Sequence, residues 1–271
     1  MKYSFLMSVY YKEKPEYLTL SIESMLKQTV KADEIIIVED GKLTKELENV
    51  IEEYKKNNSE IFTVVKLKNN LGLGLALNEG IKISRNELIA RMDSDDISKK
   101  DRCEKQLNIF KEKANLSICG TNIDEFSVNV DNIIGQRIVP EKNEEIYEFS
   151  KKRSAFNHPT VMYKKKDVLK QGGYSNLRRN QDVDLFGRMM FAGCEAYNIQ
   201  ESLLWFRADN DLAKRRKSLE NSKSYIKTIK NFWKMGFSSF TDYLTVLIGQ
   251  TIMLICPVKV QKILYKKFLR K

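Results

Sequence analysis

Over the first hundred positions, apolar residues follow two alternating rhythms. Short apolar runs at 4–10, 34–38, 61–67 and 87–92, the third rich in β-branched residues, read as buried strands. Between them apolar residues recur three or four apart: Leu18, Ile22, Met25 and Leu26 after Pro15, then Leu47, Val50, Ile51 and Tyr54 within 44–57, then Leu77 and Ile81 after a loop at 69–74. That spacing gathers them on one face of a helix, and Pro15 stands where proline starts helices. Strands apolar throughout, alternating with amphipathic helices, argue for a parallel sheet covered on both faces.

The second half is less regular. Residues 100–113 are predicted helical, two β-like runs follow at 116–119 and 133–139, and a charged helix at 143–152 precedes a strand-like stretch at 157–162. Gly172-Gly173 breaks the chain before a helix at 181–191; a short strand at 203–206 is the last, and the remainder reads as helix. The apolar stretch 243–256 is about fourteen residues, short of the roughly twenty that span a bilayer.

Composition narrows the classes. A chain of 271 residues with 42% hydrophobic and 31% charged residues can bury a sizeable core. The net charge of +11 is uneven: 257–271 carries six basic residues and no acid, and Lys214-Arg215-Arg216-Lys217 lies upstream. Such patches suit anionic lipid, phosphorylated ligands or nucleic acid. No nucleic-acid motif accompanies them, so nucleic acid is not the expected partner. With an apolar stretch in front of it, the basic tail reads as an amphipathic segment, 240–271, lying on an anionic membrane; a core-packing helix with solvated lysines is the competing reading. Four scattered cysteines and a single histidine make a zinc site improbable and fit reduced thiols. The first residues form too short an apolar run for a signal peptide.

The chemistry concentrates where strands end. The run at 87–92 leads into Asp93, Asp95 and Asp96, three acids within four residues at the edge of an α/β sheet where ligands bind. They repel one another unless a cation sits between them, and hard oxygens favour Mg²⁺ or Mn²⁺; a solvated turn capping the next helix is the plain alternative. Glu39-Asp40-Gly41 ends another strand, where a carboxylate could accept a pyrimidine imide N–H or cap the helix at Thr44. The 69–74 loop matches neither a dinucleotide nor a P-loop fingerprint. Asp182, with Asp184 two residues on, stands near a helix start whose dipole favours the ionised carboxylate a general base needs. His158, before Pro159, reads in isolation as structural more readily than catalytic.

Together these stretches resemble a family 2 glycosyltransferase of GT-A fold, similar to the bacterial amylovoran and capsular polysaccharide group. The resemblance rests on Ser8-Val-Tyr10, the run from Glu34 through Glu39-Asp40-Gly41 to Thr44, Asn70-Leu-Gly-Leu-Gly, Glu87 through Arg91-Met-Asp93-Ser-Asp95-Asp96, Phe156-Asn-His-Pro-Thr-Val-Met162, Gln181-Asp-Val-Asp-Leu185 and Arg207. Their order covers roughly residues 3 to 216.

The resemblance implies a Rossmann-like mixed sheet covered by helices, with a catalytic domain at 1–212 divided into a nucleotide-sugar half (1–98) and an acceptor half (99–212). A basic helical extension at 213–271 follows. It implies inverting transfer of a hexose-type sugar from a nucleotide diphosphate donor, a UDP-sugar by family frequency. The acceptor would be a hydroxyl of a lipid-linked saccharide in capsule, exopolysaccharide or O-antigen synthesis, at the cytoplasmic face of the cell membrane. Ser8, Tyr10, Glu39, Asp40, Asn70, Arg91 and Asp93 are then donor residues, and Asp93, Asp95 and Asp96 candidate ligands for Mn²⁺ or Mg²⁺. Asp182 is the base, and His158, Gln181 and Arg207 serve acceptor or phosphate. The family commonly has glutamate before the base; the neutral Gln181 should lower the pKa of Asp182 by easing repulsion. Gln181 is also the one feature favouring the alternative, a non-catalytic relative that binds nucleotide-sugar or lipid in an assembly complex.

Overall fold

The computed structural model describes residues 1–208 and 218–255. Its first half is the predicted alternation: β1 (Tyr3–Val9), α1 (Pro15–Leu26), β2 (Glu34–Glu39), α2 (Lys45–Asn57), β3 (Phe62–Lys66), α3 (Leu73–Ile83) and β4 (Leu88–Met92). These strands are parallel in the order β3-β2-β1-β4. The chain leaves β3 at one edge and returns beyond β1, so the strand order reverses between β1 and β4, and a crevice opens at their C-terminal ends.

The second half turns the sheet mixed. β5 (Ile97–Ser98), α4 (Arg102–Glu112), β6 (Leu116–Phe126), β7 (Ile133–Arg137) and α5 (Asn143–Ser150) precede a 3₁₀ turn at His158–Thr160. β8 (Met162–Lys164), α6 (Lys165–Lys170), α7 (Gln181–Phe191) and β9 (Glu195–Arg207) complete it. β8 runs antiparallel to both β4 and β6, β6 pairs β9 in parallel, and β9 pairs β5 antiparallel. The expected GT-A-like mixed sheet, with helices on both faces, is therefore present.

Two strands are longer than their apolar runs suggest. The 116–119 run is the start of an eleven-residue strand, and 203–206 the end of a thirteen-residue one. Both carry buried asparagines that distant backbone groups satisfy: Asn122 Oδ1 accepts the Val139 N–H at 2.9 Å, and Asn198 Nδ2 donates to Pro140 O at 2.6 Å and Ala155 O at 2.9 Å; the middle of β9, Gln200 and Glu201, is exposed. The strand-like stretch at 157–162 divides into the 3₁₀ turn and β8, since Pro159 brings no backbone donor.

One core lies between the sheet and α1, α2 and α4, and includes Phe5, Met7, Leu18, Ile22, Leu47 and Leu107. The other joins α3 and α7 to the opposite face through Leu6, Ile89, Ala76, Leu77 and Phe186, and extends to α8 (Leu219–Lys234) through Ile229 and Phe232. Gly187 lets α8 approach α7: a Cβ there would stand 2.1 Å from the Phe232 ring. α9 (Phe240–Ile255) folds back on α8, with Tyr243 stacked on Trp233 at 5.5 Å between centroids. Among the described residues no helix is long and apolar enough to cross a membrane. The basic cluster at 214–217, the boundary at 212/213, Cys256 and the tail 257–271 lie outside the described residues.

Candidate active site

Parallel pairing puts the ends of β1, β2 and β4 on one edge, since Val9 pairs with Glu39 and Met7 with Met92. Ser8, Tyr10, Glu39, Asp40 and Asp93 therefore share that edge. Tyr10 is exposed, its ring edge-on to Tyr11. Asp40 is buried, and its carboxylate accepts from Leu71 N at 2.7 Å, Gly72 N at 3.0 Å and Asn70 Nδ2 at 2.9 Å. It thus ties the 70–72 loop to the end of β2. Gly41, at φ +86°, permits this approach, because a Cβ would meet Asn70 N at 2.7 Å. Thr44, not Asp40, caps α2. Glu39 faces Lys66 at 3.3 Å, and burial pushes its carboxyl above the ordinary value.

The acidic loop after β4 brings one carboxylate oxygen each from Asp93, Asp95 and Asp96 within 4.8 Å of one another. Asp93 and Asp95 are partly exposed and Asp96 is fully buried. Asp96 Oδ1 accepts the Arg207 N–H at 2.8 Å, while Oδ2 has no hydrogen-bond partner. Burial, then the charges of Asp95 and Asp93, push its carboxyl well above the usual range. A buried unpartnered oxygen facing two more carboxylates is a donor set that fits a hard dication. The loop is held from outside the acids: Ser21 Oγ donates to Asp93 O at 2.7 Å, and Arg207 Nε donates to Asp95 O at 2.9 Å.

Arg91, fully buried at the end of β4, pairs with this loop. Its Nη2 donates to Asp93 Oδ1, and its Nε and Nη1 have no partner. The same guanidinium acts on Asp182, His158, Tyr174 and Tyr163. Asp182 is the second residue of α7, following Asn180 in the left-handed region at φ 59°. Burial raises its pKa; the N–H groups of Val183 and Asp182, then Arg137 and Arg91, oppose the rise without cancelling it. Neutral Gln181 adds no repulsion, yet the net shift is upward because desolvation outweighs every charge nearby. Asp184 is not a second open acid: it pairs with Arg188 at 2.8 Å, and Arg188 in turn donates to Gly173 O at 2.8 Å.

His158 Nε2 lies 2.8 Å from the Tyr174 hydroxyl, and its ring packs edge-on against Phe186. Burial and the Arg91 charge hold its pKa well below the ordinary 6.5, so the imidazole is neutral. Gln181 is buried beside Gly74, its Oε1 without a partner. The Arg207 guanidinium lies over the rings of Tyr17 (3.7 Å) and Phe126 (4.5 Å), so it braces the acidic loop.

Sequence reasoning missed Tyr174, Asn78, Arg102 and Arg137. Asn78 holds the Tyr174 backbone through both N–H and C=O, each at 2.8 Å, while Arg102 donates to Arg91 O and Pro159 O, each at 3.0 Å. Gly172-Gly173 was the signal for the first pair; no sequence pattern announces a buried arginine that joins the end of β4 to the 3₁₀ turn through their carbonyls.

Known proteins share this fold. Residues 4–173 match Glycosyl transferase family 2. The chain is 35% identical over its whole length, and 97% of the other's, to the UDP-Gal:alpha-D-GlcNAc-diphosphoundecaprenol beta-1,3-galactosyltransferase of Escherichia coli. It is 31% identical to the amylovoran biosynthesis glycosyltransferase AmsE of Erwinia amylovora, over 98% of each chain. Its fold is similar to S. aureus TarS in complex with UDP-GlcNAc (TM-score 0.68, 15% identity, 96% of this chain and 78% of that one). It is also similar to a mannosyltransferase from Pyrobaculum calidifontis in complex with GDP-Man and Mn²⁺ (TM-score 0.65, 11% identity, 94% and 70%). A family match over most of the catalytic fold, with relatives alike from end to end, means that this chain belongs to glycosyltransferase family 2.

Proposed function

We propose that this glycosyltransferase moves a hexose-type sugar, with inversion, from a UDP-sugar to a hydroxyl of a lipid-linked saccharide during bacterial surface-polysaccharide synthesis. The observation that carries the reading is that the edge where β1, β2 and β4 end gathers the carboxylates of Asp93, Asp95 and Asp96 within 4.8 Å of one another, with the buried Arg91 paired to Asp93. In this reading Asp93, Asp95 and Asp96 hold Mn²⁺ or Mg²⁺. When bound, the ion neutralises charge on the departing nucleotide diphosphate.

The residues of the chain divide the remaining work. Ser8, Tyr10 and Asn70 line the nucleotide side, and Asp40 holds the 70–72 loop against it. Asp182 takes the acceptor's proton as its oxygen attacks the anomeric carbon from the face opposite the leaving group. One such displacement inverts the stereochemistry. The raised pKa of Asp182 suits this work, because a stronger base accepts a proton more readily. His158 stays neutral and orients Tyr174. Residues 1–98 form the donor half and 99–212 the acceptor half. The relatives support the donor and acceptor classes: one is named for UDP-Gal and a diphosphoundecaprenol-linked GlcNAc.

We also infer peripheral attachment to the inner face of the cell membrane through 240–271. α9 presents Phe240, Leu244, Ile248, Ile252 and Ile255 to solvent along one face, which supports an in-plane apolar contact.

Incubation with UDP-sugars, Mn²⁺ and a lipid-linked acceptor tests the reaction. Turnover abolished in Asp95→Ala and Asp182→Asn is the expected result; turnover intact in either variant refutes the role assigned to that residue.

A further inference from the structure

A second polar site is lined by residues just before α7. Gly72, Arg178, Arg179 and Glu220 enclose a surface cavity of about 180 Å³. Both arginines are exposed, and among the described residues neither forms an ion pair. The backbone that carries them is held: Ser224 Oγ donates to Arg179 O at 2.6 Å, and Asn180 Nδ2 donates to Asn221 O at 3.2 Å, so the first turns of α8 anchor the segment. Arg179 precedes Asp182 by three residues, a span of at most about 11 Å along the chain.

The opposite wall is the beginning of α3. Gly72 is its N-cap at φ +89°, offers no side-chain cap, and has open space where a Cβ would stand. The Gly72 N–H itself goes to Asp40 Oδ2 at 3.0 Å, so this wall contributes the positive end of the α3 dipole, which favours an anion, rather than a donor at Gly72. Glu220 lowers the net charge but is outnumbered two to one. The acidic loop needs a cation before it can accept a phosphate; this pocket needs none. Two guanidinium groups with no carboxylate committed to them match the oxygens of a phosphate or diphosphate.

We propose that the Gly72–Arg178–Arg179 pocket receives the phosphate or diphosphate through which the acceptor sugar is attached to its lipid, setting that sugar's hydroxyl at Asp182. The proposal rests on the lipid-linked acceptor reading above. It names a group of this chain that distinguishes a sugar diphosphate from a plain glycoside. A sugar ring then bridges the pocket and the base, with its anomeric oxygen on the arginine side and the reacting hydroxyl across the ring.

Calorimetric titration of the full chain, saturated with UDP and Mn²⁺, tests this with two probes: a hexose α-linked through diphosphate to a short alkyl chain, and the same hexose as a simple alkyl glycoside. The wild-type protein is expected to bind the diphosphate probe at least about tenfold more tightly than the glycoside. Arg178→Ala/Arg179→Ala should remove that preference while leaving UDP affinity and melting temperature unchanged, and the double Lys variant should restore part of it. Equal binding of both probes by the wild type, or undiminished preference in the double Ala variant, overturns the proposal. So does a matching loss of UDP affinity, which would make the arginines part of the donor site. Sugar transfer is read separately: transfer to the glycoside as efficient as to the diphosphate probe sinks this pocket assignment but leaves the transferase reading standing, whereas no transfer to any acceptor sinks the latter.

Discussion

The backbone N–H of Arg207 donates to Asp96 Oδ1 at 2.8 Å, joining residues 111 apart in sequence. β5 pairs with β9 immediately before this contact, Ile97 with Trp205, so the ladder itself delivers Arg207 to the acidic loop. The guanidinium then donates to Asp95 O and rests over Tyr17 and Phe126. Replacing Arg207 by Met keeps the backbone bond and removes the rest. The Mn²⁺ concentration needed for half-maximal activity should rise about 10- to 100-fold, as when groups supporting metal ligands are lost. An unchanged metal requirement counts against this brace.

Asp182→Asn keeps shape and removes the carboxylate proposed as base. Its kcat should fall about 10²- to 10⁴-fold with UDP affinity intact. In the wild type the acid limb of kcat should lie above the ordinary aspartate range, because burial raises the pKa and the carboxyl must be ionised to take a proton. A limb at the ordinary value of 3.8 refutes the assignment.

Arg91 carries a buried charge balanced by Asp93. Arg91→Met should destabilise the fold by about 3–5 kcal/mol, the usual cost of breaking a buried pair by removing one partner, read by urea denaturation. A loss under about 1 kcal/mol would mean that solvent reaches Asp93 freely enough to replace the guanidinium.

His158 gives a pH signature of stability. Its folded pKa lies well below the ordinary 6.5. As pH falls below the unfolded value, the unfolded chain binds a proton the native state refuses, so stability is present above about pH 6.5 and is lost on acidification. The decline should be at most about 1.4 kcal/mol per pH unit, and His158→Gln should flatten it. Parallel stability curves for the two proteins would show that His158 titrates normally.

The exposed face of α9 should bind lipid. Changing Leu244, Ile248 and Ile252 together to Ser should reduce cosedimentation with anionic vesicles several-fold while transfer to a short-chain soluble acceptor persists. Undiminished sedimentation argues for α9 as a packing helix only.

Much of this was legible along the chain. Strand edges and helix faces of residues 3–92 follow from local periodicity, because each parallel strand there is apolar on both sides and each helix on one. The acidic loop and the helix start at Asp182 were visible as charges placed at predicted ends. What sequence could not reveal is contact between segments far apart: Asn122 of β6 and Asn198 of β9 satisfied by distant backbone groups, His158 held neutral by its surroundings, and Asp184 withdrawn into a pair with Arg188 so that Asp182 is the more open of the two. Residue types and spacing determined which groups could do chemistry. Tertiary packing decided which of them are free to, because desolvation and pairing depend on neighbours that only the folded sheet brings together.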